Sequence, residues 1–187
     1  MAESADEHFA RGDAFLAEGR YQEAVDAYEL VLGLRPGLRA ALNNRGAALR
    51  KLGRDEDALA SFELALETGF NDIGIMLNHA AALRALNRIE DSLKAYEAVL
   101  ALHPDDPQAL VGRGTVLLRL DRPADAILSF DRATVIRPDS AAAEHHLAGA
   151  LRRFGNPGPA RERFGRAYEL DPKRDFLLAR KFHHEPE

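Results

Sequence analysis

Small, apolar and aromatic residues recur along the chain with a period of 34 residues. The stretch RYQEAVDAYELVLGLRPG begins at Arg20. Four similar stretches follow, each 34 residues after the one before: RDEDALASFELALETGFN, RIEDSLKAYEAVLALHPD, RPADAILSFDRATVIRPD and NPGPARERFGRAYELDPK. Counted from Ala5, five units without gaps span residues 5–38, 39–72, 73–106, 107–140 and 141–174. A fixed period of this length is typical of a repeat protein whose units pack on their neighbours.

Three positions of the unit, numbered 1 to 34 from its first residue, hold one kind of side chain throughout. Position 8 is Gly or Ala, position 20 is Ala or Ser, and position 24 is Tyr or Phe in every unit. Small residues let two helix backbones approach each other, and a large ring beside them fills the remaining space. The position-24 residues are Tyr28, Phe62, Tyr96, Phe130 and Phe164.

Residues that end helices occur twice in each unit. Position 15 is Gly, Asn or Asp, which suit a turn that needs positive φ. Position 32 is Pro in four units and Phe70 in the second. Proline cannot continue the helical hydrogen-bond ladder, so it marks the end of a second helix. Each unit is therefore predicted to be a hairpin of two helices.

The period, the small positions and the terminal proline resemble the tetratricopeptide repeat (TPR) family over residues 5–174. The resemblance implies an all-α fold, a right-handed superhelical solenoid of five helical hairpins. Residues 1–4 would form an N-terminal extension, and residues 175–187 a capping helix and tail that cover the last hairpin. The family's usual tryptophan at position 4 is missing, and His8, Leu42, Met76, Leu110 and Glu144 take its place.

Helical periodicity divides each first helix into two faces. At 100° per residue, positions 4, 7, 8, 11 and 14 share a face that we expect to pack, including Gly46, Leu49 and Leu52. Positions 2, 5, 6, 9, 12 and 13 share the opposite face, and the resemblance implies that this face lines a concave peptide-binding groove. The candidate groove residues are Phe9, Asn43, Asn44, Arg50, Lys51, Leu77, Asn78, Arg84, Gln108, Arg119, His145, His146, Arg152 and Arg153.

Charge is sorted between the two helices of the hairpins. Positions 1–14 of units two to four carry only bases as charged residues, whereas the second helices of units two and three are mostly acidic. The whole chain has a net charge of −5, so a basic inner face predicts a partner protein or peptide that is acidic. The alternative is that these bases are solvated or pair with acids of neighbouring hairpins.

Residue types that support catalysis or metal binding are scarce. The chain has no cysteine, which excludes disulfides and thiolate sites. The histidine pairs 145–146 and 183–184 are adjacent in sequence and diverge by about 100° on a helix, and no His-x-x-x-His spacing completes a coordination shell. We therefore predict no enzymatic activity, no cofactor and no metal. Together with the repeat fold, this predicts a non-enzymatic adaptor or scaffold that binds an extended or helical segment of a partner protein.

Charge and hydropathy also limit the location and the other partners. The start, MAESADEHFARGDAF, lacks the apolar core of a secretory signal, and no apolar run approaches the ~18 residues of a membrane span. These features predict a cytoplasmic protein without a membrane partner. The acidic balance and the few aromatic residues of the groove argue against a nucleic-acid partner.

Three alternatives stay open. A clamp for a terminal carboxylate, as in some chaperone-binding members, fits Asn44 but not Phe9 or Asp13. Asn44, Asn78 and the tail DPKRDFLLARKFHH resemble the repeat region of bacterial O-linked N-acetylglucosamine transferase relatives, which implies substrate recognition. A self-assembling structural solenoid, with an apolar tail docked on a neighbouring copy to form a homo-oligomer, is the third.

Overall fold

Helices account for all the regular structure in the described part of the chain. The computed structural model describes residues 4–69 and 72–173, and ten α-helices lie there. They are α1 (Ala5–Ala17), α2 (Tyr21–Leu34), α3 (Arg39–Lys51), α4 (Asp55–Glu67), α5 (Ile73–Ala85), α6 (Ile89–Leu102), α7 (Pro107–Arg119), α8 (Pro123–Ile136), α9 (Ala141–Arg153) and α10 (Pro157–Leu170). The all-α fold of helical hairpins is confirmed. The predicted capping helix and Phe70 lie outside the described residues.

The chain divides into two compact units, Met1–Ala95 and Tyr96–Glu187, with the boundary inside α6. In the first unit, α3 packs against α2 and α4, and α4 also packs against α5. In the second unit, α9 packs against α8 and α10. α3 and α9 therefore each lie between two second helices, one from their own repeat and one from the repeat before.

The small residues at position 8 make room for the rings at position 24, as predicted. A Cβ added to Gly46 would lie 2.6 Å from Cε1 of Phe62, which is 0% exposed. Gly12 has the same relation to Tyr28 at 2.7 Å, and Gly114 to Phe130 at 2.6 Å. These contacts hold the two helices of a hairpin at a distance that only glycine allows with this ring placement.

The packing face of the first helices is wider than predicted. Positions 3 and 10 were assigned to neither face, yet they are at most 1% exposed in the second to fifth repeats: Ala41, Ala48, Ile75, Ala82, Ala109, Val116, Ala143 and Ala150. In the first repeat the same positions hold Glu7 and Ala14, which are exposed. Positions 3 and 10 thus face the preceding repeat, a contact that the periodicity of one hairpin does not reveal.

The assignment of position 14 to the packing face is wrong for Leu52, which is 38% exposed. Leu52 is the C-cap residue of α3, and the equivalent Phe154 after α9 is 52% exposed. The 100° rule holds only inside a helix, and the first helices end at position 13. Position 14 therefore belongs to the turn.

The turn after each first helix has the expected backbone. All five residues at position 15 have positive φ: Gly19, Gly53, Asn87, Asp121 and Gly155.

The second repeat lacks the position-32 proline, yet α4 ends at Glu67. Thr68 follows as the C-cap residue and donates its Oγ1–H to the Ala65 carbonyl at 2.8 Å. The end of α4 therefore does not depend on proline.

Candidate binding surface on the first helices

The three candidate asparagines form a continuous row of side-chain hydrogen bonds in the first unit. Asn78 of α5 donates Nδ2–H to Oδ1 of Asn43 at 3.0 Å. Asn43 of α3 donates to Oδ1 of Asn44 at 3.4 Å, and Asn44 donates to Oδ1 of Asp13 on α1 at 3.0 Å. We call Asn78, Asn43, Asn44 and Asp13 the amide row. It connects the first helices of three successive repeats.

Asp13 sets the direction of the amide row. An ionised carboxylate only accepts hydrogen bonds, so Asn44 presents its nitrogen to Asp13 and its oxygen to Asn43. The Tyr28 hydroxyl also donates to Oδ1 of Asp13, at 2.6 Å. Burial and then the Asp13 carboxylate raise the pKa of Tyr28, which keeps the hydroxyl protonated as a donor. Each amide retains one N–H for another group, and the oxygens of Asn43 and Asn44 each retain one lone pair.

Asp13 was missing from the candidate site residues, although a sequence signal for it existed. Position 9 belongs to the predicted groove face, and Asp13 is the only charged residue that occupies it in the five repeats. In the sequence it stands out only as a departure from a carboxylate clamp. Its contact with Asn44, 31 residues away, depends on how α1 and α3 pack.

Two cations lie beside the amide row on α3. Arg50 and Lys51 follow Asn43 and Asn44 by seven residues, which is two helical turns, or about 10 Å, along the same face. Arg50 is half-buried and Lys51 is exposed. Within residues 4–69 and 72–173, neither forms a hydrogen bond or an ion pair, and the Nε of Arg50 is buried. Arg84 takes the position equivalent to Arg50 on α5 and is half-buried.

The apolar candidates of the first unit are partly used in packing. Phe9 is half-buried against the hydrophobic core and meets the Tyr28 ring edge-on, with 5.8 Å between the ring centroids. Leu77 is half-buried on α5. Next to the amide row lies a surface cavity of about 370 Å³, which is lined by Leu38, Arg39, Ala40, Asn43, Asn44, Asp72 and Ile75.

In the second unit, the adjacent histidines rest on two different core rings. His146 stacks on Phe130 with 5.4 Å between the centroids and 13° between the planes. His145 meets Phe164 edge-on at 5.3 Å. The two imidazoles also meet each other edge-on, with 6.1 Å between their centroids, so they lie closer together than the divergence of neighbours on a helix predicted. No group of three His, Cys, Asp or Glu residues able to hold a metal occurs in the described part of the chain.

The neighbouring arginines at the end of α9 differ in their contacts. Arg153 donates to the Leu118 carbonyl at 2.7 Å and to Oδ1 of Asp121 at 2.9 Å. Its guanidinium thus adds a second donor to the Leu118 carbonyl at the C-terminus of α7, which also accepts from the Asp121 N–H at 3.3 Å. Arg152 is exposed and has neither a hydrogen bond nor an ion pair to any described residue. Gln108 and Arg119 are exposed on α7.

Many acids of the second helices are neutralised locally. In the first four repeats, the arginine at position 16 pairs with the acid at position 19: Arg20 with Glu23, Arg54 with Asp57 (2.7 Å), Arg88 with Asp91 (3.0 Å) and Arg122 with Asp125 (2.6 Å). The outer surface is consequently less acidic than the second-helix residues alone indicated. The unpaired Arg50 and Lys51 stand in contrast to these arginines.

A buried ion network in the fifth repeat was also not predicted. Glu144 on α9 is 1% exposed and meets Arg163 Nη1 at 3.2 Å and Arg166 Nε at 3.1 Å, both on α10. Glu144 occupies position 4, where an apolar residue is expected on the packing face. The cluster ties α9 to α10, which is a structural use of these charges.

The hairpins, their small and aromatic positions and the polar face of the first helices define an all-α repeat protein. Two family models, both described as tetratricopeptide repeat, match residues 4–68 and 77–141, together more than half of the chain. The chain belongs to the tetratricopeptide repeat family. No curated protein sequence matches the chain significantly. None of the helices in the described residues is long and apolar enough to cross a membrane.

Several solved structures share this fold. MamA 41-end from Desulfovibrio magneticus RS-1 is 22% identical with a TM-score of 0.82, over 94% of this chain and 99% of that one. TTC0263, a thermophilic TPR protein in Thermus thermophilus, is 22% identical with a TM-score of 0.76, over 96% and 97%. YrrB, described as a TPR protein with an unusual peptide-binding site, is 20% identical with a TM-score of 0.74, over 95% and 91%. These similarities confirm the predicted fold class, an all-α TPR solenoid.

Proposed function

We propose that this protein is a non-enzymatic scaffold that binds an extended or helical, acidic segment of a partner protein on the groove face of its first helices. Tetratricopeptide repeats generally act as protein–protein interaction modules without catalysis, and YrrB is described as having a peptide-binding site. The observation that carries the proposal is the pair Arg50 and Lys51, two cations beside the amide row that no described residue neutralises.

Arg50, Lys51 and the amides of the amide row have hydrogen-bonding groups without a partner among the described residues. A carboxylate from a partner would accept charge-assisted hydrogen bonds from the exposed Lys51 ammonium and from the part of the half-buried Arg50 side chain that solvent reaches. The remaining N–H groups and lone pairs of the amides suit the backbone of a bound segment, which offers both donors and acceptors. An acidic segment would also be steered to these cations during diffusional encounter.

The candidates do not contribute equally to this proposal. Arg153 is engaged with Leu118 and Asp121, so it supports the solvated or paired alternative at that position. The histidines 145 and 146 rest on core rings and expose only part of their surface. Binding is therefore assigned first to the surface of the first unit around Arg50 and Lys51.

The test compares two double charge reversals that change the net charge equally. Arg50→Glu/Lys51→Glu alters the proposed surface, whereas Lys94→Glu/Arg161→Glu alters exposed second-helix residues that have no hydrogen bond or ion pair to described residues. Quantitative pull-down from source-cell lysate, after confirming equal helicity by circular dichroism, should show partners lost only with the first variant. Partners retained by both variants, or lost equally from both, would overturn the proposal.

The other predictions about partners are unchanged by these contacts. Recognition of glycosyltransferase substrates, self-assembly, a cytoplasmic location and the lack of nucleic-acid and membrane partners stay predictions from the sequence. Sedimentation over a range of concentrations addresses self-assembly. Incubation with a labelled sugar nucleotide addresses transfer, and we expect none.

A further inference from the structure

We propose that the bound segment is extended and bipolar: it carries a cationic hydrogen-bond donor that meets Asp13 and carboxylates that meet Arg50 and Lys51. The donor is a lysine, an arginine or a free amino terminus. This inference rests on the proposed function and adds to it a charge pattern and the spacing of the charges. An acidic segment alone would leave one charge of this surface unmatched.

The Asp13 carboxylate is held in place with one oxygen available. Both of its donors, the Tyr28 hydroxyl at 2.6 Å and Asn44 Nδ2 at 3.0 Å, bind Oδ1. Within the two described ranges, Oδ2 receives no hydrogen bond and Asp13 forms no ion pair. Because two donors on different helices fix the carboxylate, Oδ2 is pre-organised and a ligand would bind with little loss of side-chain entropy.

Asp13 differs in this respect from Asp6 and Asp57 of the same unit. Asp6 pairs with Arg35 at 2.8 Å, and Asp57 pairs with Arg54 at 2.7 Å. Both of those acids are neutralised by an arginine of the same unit. Asp13 instead lies on the groove face, at the end of a row of amides, with Arg50 and Lys51 beside that row and not in contact with it.

The spacing of the charges predicts the spacing of the segment. Asn44 contacts Asp13, and Lys51 lies two turns further along α3, about 10 Å. An extended chain rises about 3.3 Å per residue, so it covers this distance in about three residues. The segment should therefore carry a basic group and an acidic residue about three to four positions apart.

Asp13 would also determine which segments the surface binds. A segment with acids along its whole length places a carboxylate against Asp13, and like charges at short range disfavour that register and that partner. Exchange of Asp13 for asparagine keeps an acceptor for the Tyr28 hydroxyl while it removes the charge. The surface would then accept a uniformly acidic segment as well as a bipolar one.

The experiment is selection of a random octapeptide display library on the full chain. Wild type should enrich peptides with Lys or Arg three to four positions from Asp or Glu. Asp13→Asn should retain the acidic positions and lose the basic one, and Arg50→Glu/Lys51→Glu should lose the acidic positions. Equal thermal midpoints of the variants exclude loss of folding as the cause.

A selected peptide and its counterpart with the basic residue changed to glutamine then complete a double-mutant cycle with Asp13→Asn. Loss of either charge should weaken Kd about fivefold, and loss of both should add little more. Peptides that are acidic with no basic enrichment, or basic enrichment that survives Asp13→Asn, would overturn the bipolar segment and leave the proposed function standing. Acidic enrichment that is absent, or that survives Arg50→Glu/Lys51→Glu, would overturn both.

Discussion

Arg163 donates Nη1–H to Oε2 of Glu144 over 3.2 Å, and this carboxylate is 1% exposed. The arginine side chain is 35% exposed, and that of Arg166, the second partner, is 51% exposed. The network therefore joins a fully buried anion to two cations that reach water. Such an arrangement makes the two sides of the interaction unequal: the arginines can be hydrated without Glu144, but Glu144 cannot be hydrated without unfolding.

Two substitutions of Glu144 should thus have different effects. Glu144→Ala leaves a cavity at position 4 and should lower the free energy of unfolding by about 3 kcal/mol. Glu144→Leu fills the space and leaves only partly exposed arginines, so it should lie within about 1 kcal/mol of wild type. Leu42 and Leu110 already occupy this position in other repeats, at 3% and 1% exposure. Urea unfolding measures both values, and equal losses would show that the ion network itself stabilises the fold.

Glycine-to-alanine substitutions should change stability in opposite directions at two helical sites. At Gly46 the new Cβ would lie 2.6 Å from the Phe62 ring, so Gly46→Ala should cost about 1–3 kcal/mol through displacement of the ring. At Gly165 in α10, no described atom beyond the helix backbone and chain neighbours comes within 4 Å of the new Cβ. Gly165→Ala should therefore stabilise by up to about 1 kcal/mol. Thermal unfolding compares the two, and stabilisation by Gly46→Ala would contradict the close helix contact.

The sequence predicted the hairpins well because their determinants are local and repeated. Positive φ at position 15 and the fit of position 24 against position 8 each follow from residue type and period, as Asn87 and the Gly46–Phe62 contact illustrate. The amide row was only half predicted. Asn43, Asn44 and Asn78 were placed on the groove face, but their hydrogen bonds to one another and to Asp13 depend on the offset between neighbouring repeats.

The wrong and the missing assignments have two different origins. Leu52 was assigned to the core by an angle that does not apply beyond the end of a helix. Glu144 was recognised as replacing the usual tryptophan, but its partners lie 19 and 22 residues away on another helix and are not defined by the repeat pattern. The pairing of side chains between helices therefore could not be predicted from the repeat pattern, whereas the positions of the helices along the chain could.

His79 should make stability depend on pH. Burial lowers its pKa below the ordinary value of 6.5, while the Glu63 carboxylate, 3.9 Å away, opposes the shift. The unfolded chain therefore takes up a proton first as the pH falls, so this contribution to stability is complete above about pH 6.5 and decreases below it. The urea midpoint of wild type should fall between pH 7.5 and 5.5 by more than that of His79→Gln. The difference between the two proteins removes the contributions of the other histidines, and parallel curves would contradict a lowered pKa of the partly buried His79.

Arg152 and Arg153 offer a matched pair for separating a structural arginine from one available for binding. Arg153→Ala removes a charged donor from the Leu118 carbonyl and an ion pair with Asp121, and it should cost about 1 kcal/mol. Arg152→Ala removes an exposed side chain without a described partner, and it should change the free energy of unfolding by less than about 0.5 kcal/mol. Hydrogen exchange adds a local readout, because amides in the last turn of α7 should exchange faster only in Arg153→Ala. Equal stability of the two variants, with equal exchange in α7, would mean that the Arg153 contacts contribute nothing and that both arginines are surface charges.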